Sequence, residues 1–266
     1  MLSNLSYIGS SFRSGYLMPS VLLVTSVVLV GISIYLTINR VIKPTIRRLP
    51  AIDAIDEAVG RCAELGKPLH YCPGIGAISH QDSIPGLAIG AYVARKCAEL
   101  GVRFIFTFMN ATIQPIAMDM IQEAYTLVGK ADEFRADDVI WLSPRQFAFA
   151  TGLVGLLSRE RPGASLLLGN YAAESLICTE AGFRAGAIQI AGCTNSYQIP
   201  YFATTCDYVL ISEELQTAGV YISKIPEQVG TIQGQDYIRL LILLLMIVGS
   251  IVYSLGIKSL DAFLKM

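Results

Sequence analysis

VRFIFTFM, Val102 to Met109, is the stretch whose reading decides the fold. Its β-branched and aromatic residues predict a strand. Its nearly continuous apolar character predicts burial on both faces, as in a parallel sheet covered by helices. VIWL (Val139–Leu142) and SLLL (Ser165–Leu168) read the same way, and Pro68–Cys72, Ala187–Ala191 and Tyr208–Ile211 supply further short strands. Helical spacing fills the intervals: Ile52–Leu65, Ile84–Leu100, Thr112–Val128, Pro144–Glu160 with Pro near its first turn, Ala172–Ala181 with Asn170 as cap, and Glu213–Ser223. Alternating strands and helices predict βαβ units, hence a Rossmann-like α/β domain with a mainly parallel sheet and helices on both faces. Cys62-Ala-Glu-Leu-Gly66 recurs as Cys97-Ala-Glu-Leu-Gly101, each before a strand. The echo reads as a repeated αβ unit or as the common exit of a helix through glycine.

Outward from this domain, both ends turn apolar. Residues 17–38 (LMPSVLLVTSVVLVGISIYLTI) carry no charge and are long enough for a hydrocarbon core of about 30 Å. Leu240–Ile257 is also uncharged and shorter, at the lower limit for a span. The expected layout is an N-terminal tail over 1–16, a span over 17–38, a basic linker over 39–49, the α/β domain over 50–236, a second span over 240–257 and a tail over 258–266. Arg40, Lys43, Arg47 and Arg48 follow the first span, whereas only Arg13 precedes it. The positive-inside bias therefore places the domain in the cytoplasm and both termini outside a cell membrane. The same four residues are expected at an anionic membrane surface. The spans so drawn hold no ionisable residue, which argues against a transporter or pump acting alone.

Composition agrees. The 266 residues are 53% hydrophobic and 15% charged, with a net charge of −1, which excludes a nucleic-acid binder. The domain itself carries 12 Lys plus Arg against 20 Asp plus Glu. So low a charge content favours subunit contacts, with QPIAMDMIQEAY and NSYQIPYFATT as aromatic, charge-poor stretches suited to them. The six Cys form no CxxC and only His70 and His80 are present, so no metal site is expected.

Ala172–Gly192 (AAESLICTEAGFRAGAIQIAG), the tract QIPYFATTCDYVLISEELQTAGVYISK from Gln198, and GRCAELGKPLHYCPGIG from Gly60 carry a resemblance. They resemble a family of uncharacterised prokaryotic two-span membrane proteins with a cytoplasmic domain of unknown function. The resemblance implies the layout above and brings no activity, cofactor or site residue.

Ligands of an open parallel sheet bind at the carboxyl ends of its strands. The loops there offer Gly74, Gly76, Ser79, His80, Asp82, Asn110, Ser143, Asn170, Thr194 and Asn195 as candidate ligand-binding residues. Gly74-x-Gly76 has the opening of a dinucleotide loop, in which backbone N–H groups cradle a pyrophosphate. Ser79 replaces the third glycine, and Met109-Asn110 stands where an acidic ribose partner would be; a tight structural turn is the other reading. His80 with Asp82 could serve as acid and base, and Ser79 or Ser143 as nucleophile. No GxSxG, HExxH or GxxxxGK[ST] occurs, so no catalytic set is assigned and no cofactor specified. The leading expectation is a non-enzymatic membrane-anchored component whose domain self-associates or docks other membrane subunits. The alternative is a tethered domain that binds a nucleotide or another small ligand.

Overall fold

The computed structural model describes residues 17–39, 49–223 and 225–254. The chain divides into two compact units, Arg47–Ser223 and the pair Met1–Ile46 with Lys224–Met266. Arg40, Lys43, Arg47 and Arg48 lie outside the described residues, as do both expected tails.

In the second of these units, helix α1 (Leu17–Ile38) packs on the last helix of the chain, Pro226–Ser254. Both are long and apolar enough to cross a membrane. The last helix starts at Pro226 rather than at Leu240, so it includes Glu227, Asp236 and Arg239. The uncharged stretch expected from Leu240 is the later part of this helix. Nothing between Pro226 and Leu240 breaks the helix, and its two glycines there are used in packing. A Cβ on Gly230 would stand 2.8 Å from Ile34 Cα, and one on Gly234 2.9 Å from Val30 Cα. The pairing is antiparallel, and Ser33 Oγ donates to Gly230 O at 2.8 Å. Gly230-x-x-x-Gly234 is the small-residue spacing that lets two helix backbones approach.

The other unit is built on six strands: β1 Leu69–Gly74, β2 Phe104–Phe108, β3 Val139–Trp141, β4 Ala164–Asn170, β5 Ile188–Cys193 and β6 Tyr208–Ile211. All neighbours pair in parallel, in the order β3-β2-β1-β4-β5-β6. The expected parallel α/β fold is therefore observed. In chain order its helices are α2 Pro50–Leu65, α3 Ser83–Leu100, α4 Gln114–Leu127, α5 Gln146–Glu160, α6 Ser175–Ala185, α7 Ile199–Thr205 and α8 Glu213–Ser223. The last helix of the chain is α9.

Two cores explain VRFIFTFM. Phe104, Phe106 and Phe108 point to one face with Tyr71 and Leu166, under α2, α3 and α4. Ile105 points to the other, with Leu167 and the α5 residues Phe149, Leu153 and Leu157. Every residue of β2 is buried, each large apolar side chain contributing roughly 1.5–3 kcal/mol. Tyr71 stacks on Phe106 with ring centroids 5.5 Å apart.

The CAELG echo is one helix exit used twice. Gly66 and Gly101 take φ 61° and 69°, and the next residue donates to the Cys carbonyl, Lys67 N to Cys62 O and Val102 N to Cys97 O. Other details differ from the sequence reading. Pro144 precedes α5 instead of opening it. Asn170 caps no helix, because it ends β4 opposite Gly74; Glu174 stands at the start of α6. The short α7 was unforeseen, since its seven residues carry too little periodicity to read.

Candidate functional site

Strand order reverses between β1 and β4, where an open α/β sheet forms its ligand crevice. Here protein backbone fills the crevice mouth. Gly74, at φ 81°, lies so close to β4 that a Cβ would stand 1.9 Å from Asn170 O. Ile75 N–H donates to that carbonyl at 2.9 Å. A Cβ on Gly169 would meet Pro73 O at 2.2 Å, and buried Tyr171 donates its hydroxyl to Cys72 O at 2.8 Å. Gly76 is forced by crowding from Ser83, Asn170 and His80. Both glycines thus serve a close approach of the chain to itself.

Several of the loop's donors are also used. Gly74 N–H meets Cys72 Sγ, His80 N–H and Ser83 N–H go to Ala77 O and His80 O, and Asp82 N–H goes to His80 Nδ1. Pro85 removes another N–H from the first turn of α3. The position a pyrophosphate would take, the start of α3, holds the fully buried side chain of Asp82.

Asp82 joins the loops after β1 and β5. Its Oδ2 accepts Thr194 N–H at 3.1 Å and Thr194 Oγ–H at 2.9 Å, while Oδ1 has no partner. Gln81 Nε2 donates to Thr194 Oγ1 at 2.8 Å. Glu174, also fully buried, accepts Ala172 N–H at 2.9 Å and Gln146 Nε2–H at 2.5 Å. Neither carboxylate has an ion pair among the described residues. Each lies at a helix start, where the macrodipole favours negative charge. Ser175 Oγ donates to Gln198 Oε1 at 2.6 Å. The Gln146–Glu174 and Ser175–Gln198 bonds therefore fasten the starts of α5, α6 and α7 together.

The structure brings Gly74, Gly76, His80, Asp82, Asn170, Thr194 and Asn195 to one place at the ends of β1, β4 and β5. Asn195 donates to Tyr171 O at 3.3 Å and accepts Tyr197 N–H at 3.1 Å. Asn110 and Ser143 stand apart, at the ends of β2 and β3. Asn110 caps its own turn through Thr112, and Ser143 accepts Arg145 N–H. Ser79 is exposed. Asp82 directs its bonded oxygen to Thr194, and His80 Nδ1 accepts a backbone N–H, so these bonds form no His–carboxylate dyad.

Around the joined helix starts lies an apolar rim. Phe147 is 59% exposed and Tyr197 84%, and Leu176, Ile177 and Tyr201 are exposed beside them. Tyr197 and Tyr201 belong to the NSYQIPYFATT stretch. The amino ends of the strands carry clefts instead. One of about 420 Å³ is lined by Arg103, Tyr125 and Arg135, and one of about 560 Å³ by Arg61, Phe183, Gln189 and Asp207.

Sequence reasoning missed Gln146, Ser175 and Gln198, whose roles depend on helices that meet only in space. It also left His70 without a role. His70 is fully buried inside the sheet, with Nδ1 2.9 Å from Ser165 Oγ and Nε2 2.9 Å from Thr107 Oγ1. Burial pushes its pKa down to about 3. Burial likewise pushes the thiols up, Cys193 to about 11 and Cys206 to about 12. Among the described residues no group of three His, Cys, Asp or Glu could hold a metal ion.

No curated protein and no solved structure matches the chain. One family model does, over residues 11–264, a match that takes in both units. The chain accordingly belongs to the family described as a domain of unknown function (DUF6754).

Proposed function

We propose that the chain is a non-enzymatic, two-pass component of a cell membrane, with α1 and α9 as spans and the α/β unit as a cytoplasmic docking module. The rim carries this reading. Phe147, Leu176, Ile177, Tyr197 and Tyr201 are exposed on a support that buried hydrogen bonds hold rigid. A charge-poor aromatic patch on a rigid frame matches the make-up of protein–protein contacts. The partner is a second copy or another membrane subunit. Arg40, Lys43, Arg47 and Arg48 support the cytoplasmic placement, with both termini outside. The nucleotide alternative ranks second, because several of the loop's backbone donors go to protein acceptors and a carboxylate occupies the anion position.

The test is a photo-crosslinking residue at Phe147 or Tyr197 in the full chain within intact membranes, with exposed Glu64 on α2 as the control. A discrete adduct of higher mass is expected from the rim positions alone. Equal yields from rim and control, or no adduct from the rim, would refute the docking reading.

A further inference from the structure

The cleft at the amino ends of β2 and β3 carries donors that the protein itself leaves unused. It measures about 420 Å³, within the roughly 300–1,000 Å³ of small-molecule sites. Tyr125 of α4 lines it and is only 6% exposed, yet its hydroxyl makes no hydrogen bond among the described residues. A buried phenol normally finds a partner. Arg135, just before β3, lines the same cleft and is exposed. It makes neither a hydrogen bond nor an ion pair among the described residues. Burial raises the Tyr125 pKa, Cys97, Asp138 and Glu133 add to the rise, and the Arg135 charge opposes it. The phenol therefore keeps its proton, and Arg135 acts on the same oxygen. The other charges of the cleft are matched. Arg103 donates to Asp138 at 2.6 Å and to Glu160 at 2.8 Å, and Lys130 pairs with Glu133 at 3.6 Å. Arg135 and Asp132 are left as its lining charges without an ion pair among the described residues.

We propose that this cleft binds a small monocarboxylic acid with an apolar body. A carboxylate presents two acceptor oxygens on one carbon, which suits one hydroxyl donor and one guanidinium offered from two elements. The apolar part of the lining takes the hydrocarbon. It comprises Ile121, Val139 and Phe134, whose ring lies 6.1 Å from that of Tyr125 between centroids. The charge balance disfavours a polyanion. Two cations and three carboxylates line the cleft, so a pyrophosphate meets no positive field, whereas one carboxylate is held by directional donors. An uncharged amide leaves Arg135 without a counter-charge and gains less. The cleft lies at the opposite end of the strands from the Phe147–Tyr197 rim, so this inference is independent of the docking reading.

The test uses the full chain in phosphatidylcholine nanodiscs, with para-fluorophenylacetate as the probe and its fluorine NMR line width as the readout, against empty nanodiscs. Broadening by the loaded discs is expected, with para-fluorophenylacetamide bound about tenfold more weakly or less. Tyr125→Phe and Arg135→Gln should each weaken binding of the acid by about tenfold or more, the loss of a hydrogen bond to a charged group. Arg95→Gln, exposed on α3, should bind as the parent chain does. Tyr125→Phe removes a hydroxyl with no protein partner, so its thermal midpoint without probe should match that of the parent. That match separates a lost donor from a lost fold. No broadening above empty discs, equal binding of the amide, unchanged affinity in either cleft variant, or a lowered midpoint in Tyr125→Phe would overturn the proposal.

Discussion

Lowering the pH should weaken this protein through one residue, His70. In the native chain its two ring nitrogens are held by Ser165 and Thr107 inside the sheet, and its pKa falls from 6.5 to about 3. In the unfolded chain it titrates near 6.5. Between these values the unfolded state binds the extra proton. Stability from this group is therefore fully present above about pH 6.5 and is lost as pH falls. One unit of difference is worth about 1.4 kcal/mol, so the loss between pH 7.5 and 5.5 is about 1.4 kcal/mol. By pH 3 it reaches about 4 kcal/mol. Other groups titrate over the same range, so the measurement is a difference. Unfolding free energies of the full chain and of His70→Asn would be compared at both pH values, and the gap between them should shrink by that amount on acidification. The chain has only two histidines, so imidazole NMR gives an independent reading. With His80→Gln, the remaining ring should stay neutral at pH 5. A His70 that titrates near 6.5 in the folded protein, or a gap that does not change with pH, would refute the reasoning.

Gly74→Ala should lower the thermal midpoint far more than Gly66→Ala. Both positions have positive φ, but the added methyl meets Asn170 O at 1.9 Å in the first case and nothing within 4 Å in the second. The expected costs are several kcal/mol against about 1 kcal/mol. Gln146→Ala should cost about 1–3 kcal/mol in denaturant unfolding, because it leaves a buried carboxylate oxygen of Glu174 without its donor. Thiol labelling of the native chain should reach about one cysteine, Cys206, and all of them only after unfolding, since the other five are buried. Gly234→Leu should lower the unfolding midpoint in detergent by forcing α9 away from Val30.

The candidate site shows how far loop position alone carries. Carboxyl-end placement picked out Gly74, Asp82, Thr194 and Asn195, which do converge, because strand direction dictates which loops share an end of a parallel sheet. It also picked Asn110 and Ser143, which do not, since strand order places their loops on the far side of β1. The glycines looked alike for a phosphate loop and for a tight turn. Only the position of Asn170 on β4 distinguishes them, because it sets the distance to Gly74. Glu174 and Gln146 are far apart in sequence, and nothing local says that their helices start side by side.

By itself the sequence determined the local chemistry: the strand character of VRFIFTFM, the glycine exits at Gly66 and Gly101, the parallel α/β class and the long apolar helix over 17–38. These follow from composition and periodicity, which act within one element. Only the tertiary structure decided the strand order, the closure of the crevice at Gly74, the burial of His70, and the antiparallel register that seats Gly230 and Gly234 against Ile34 and Val30. Each of these depends on which distant backbones touch, and that is fixed by packing between elements rather than by the residues within any one of them.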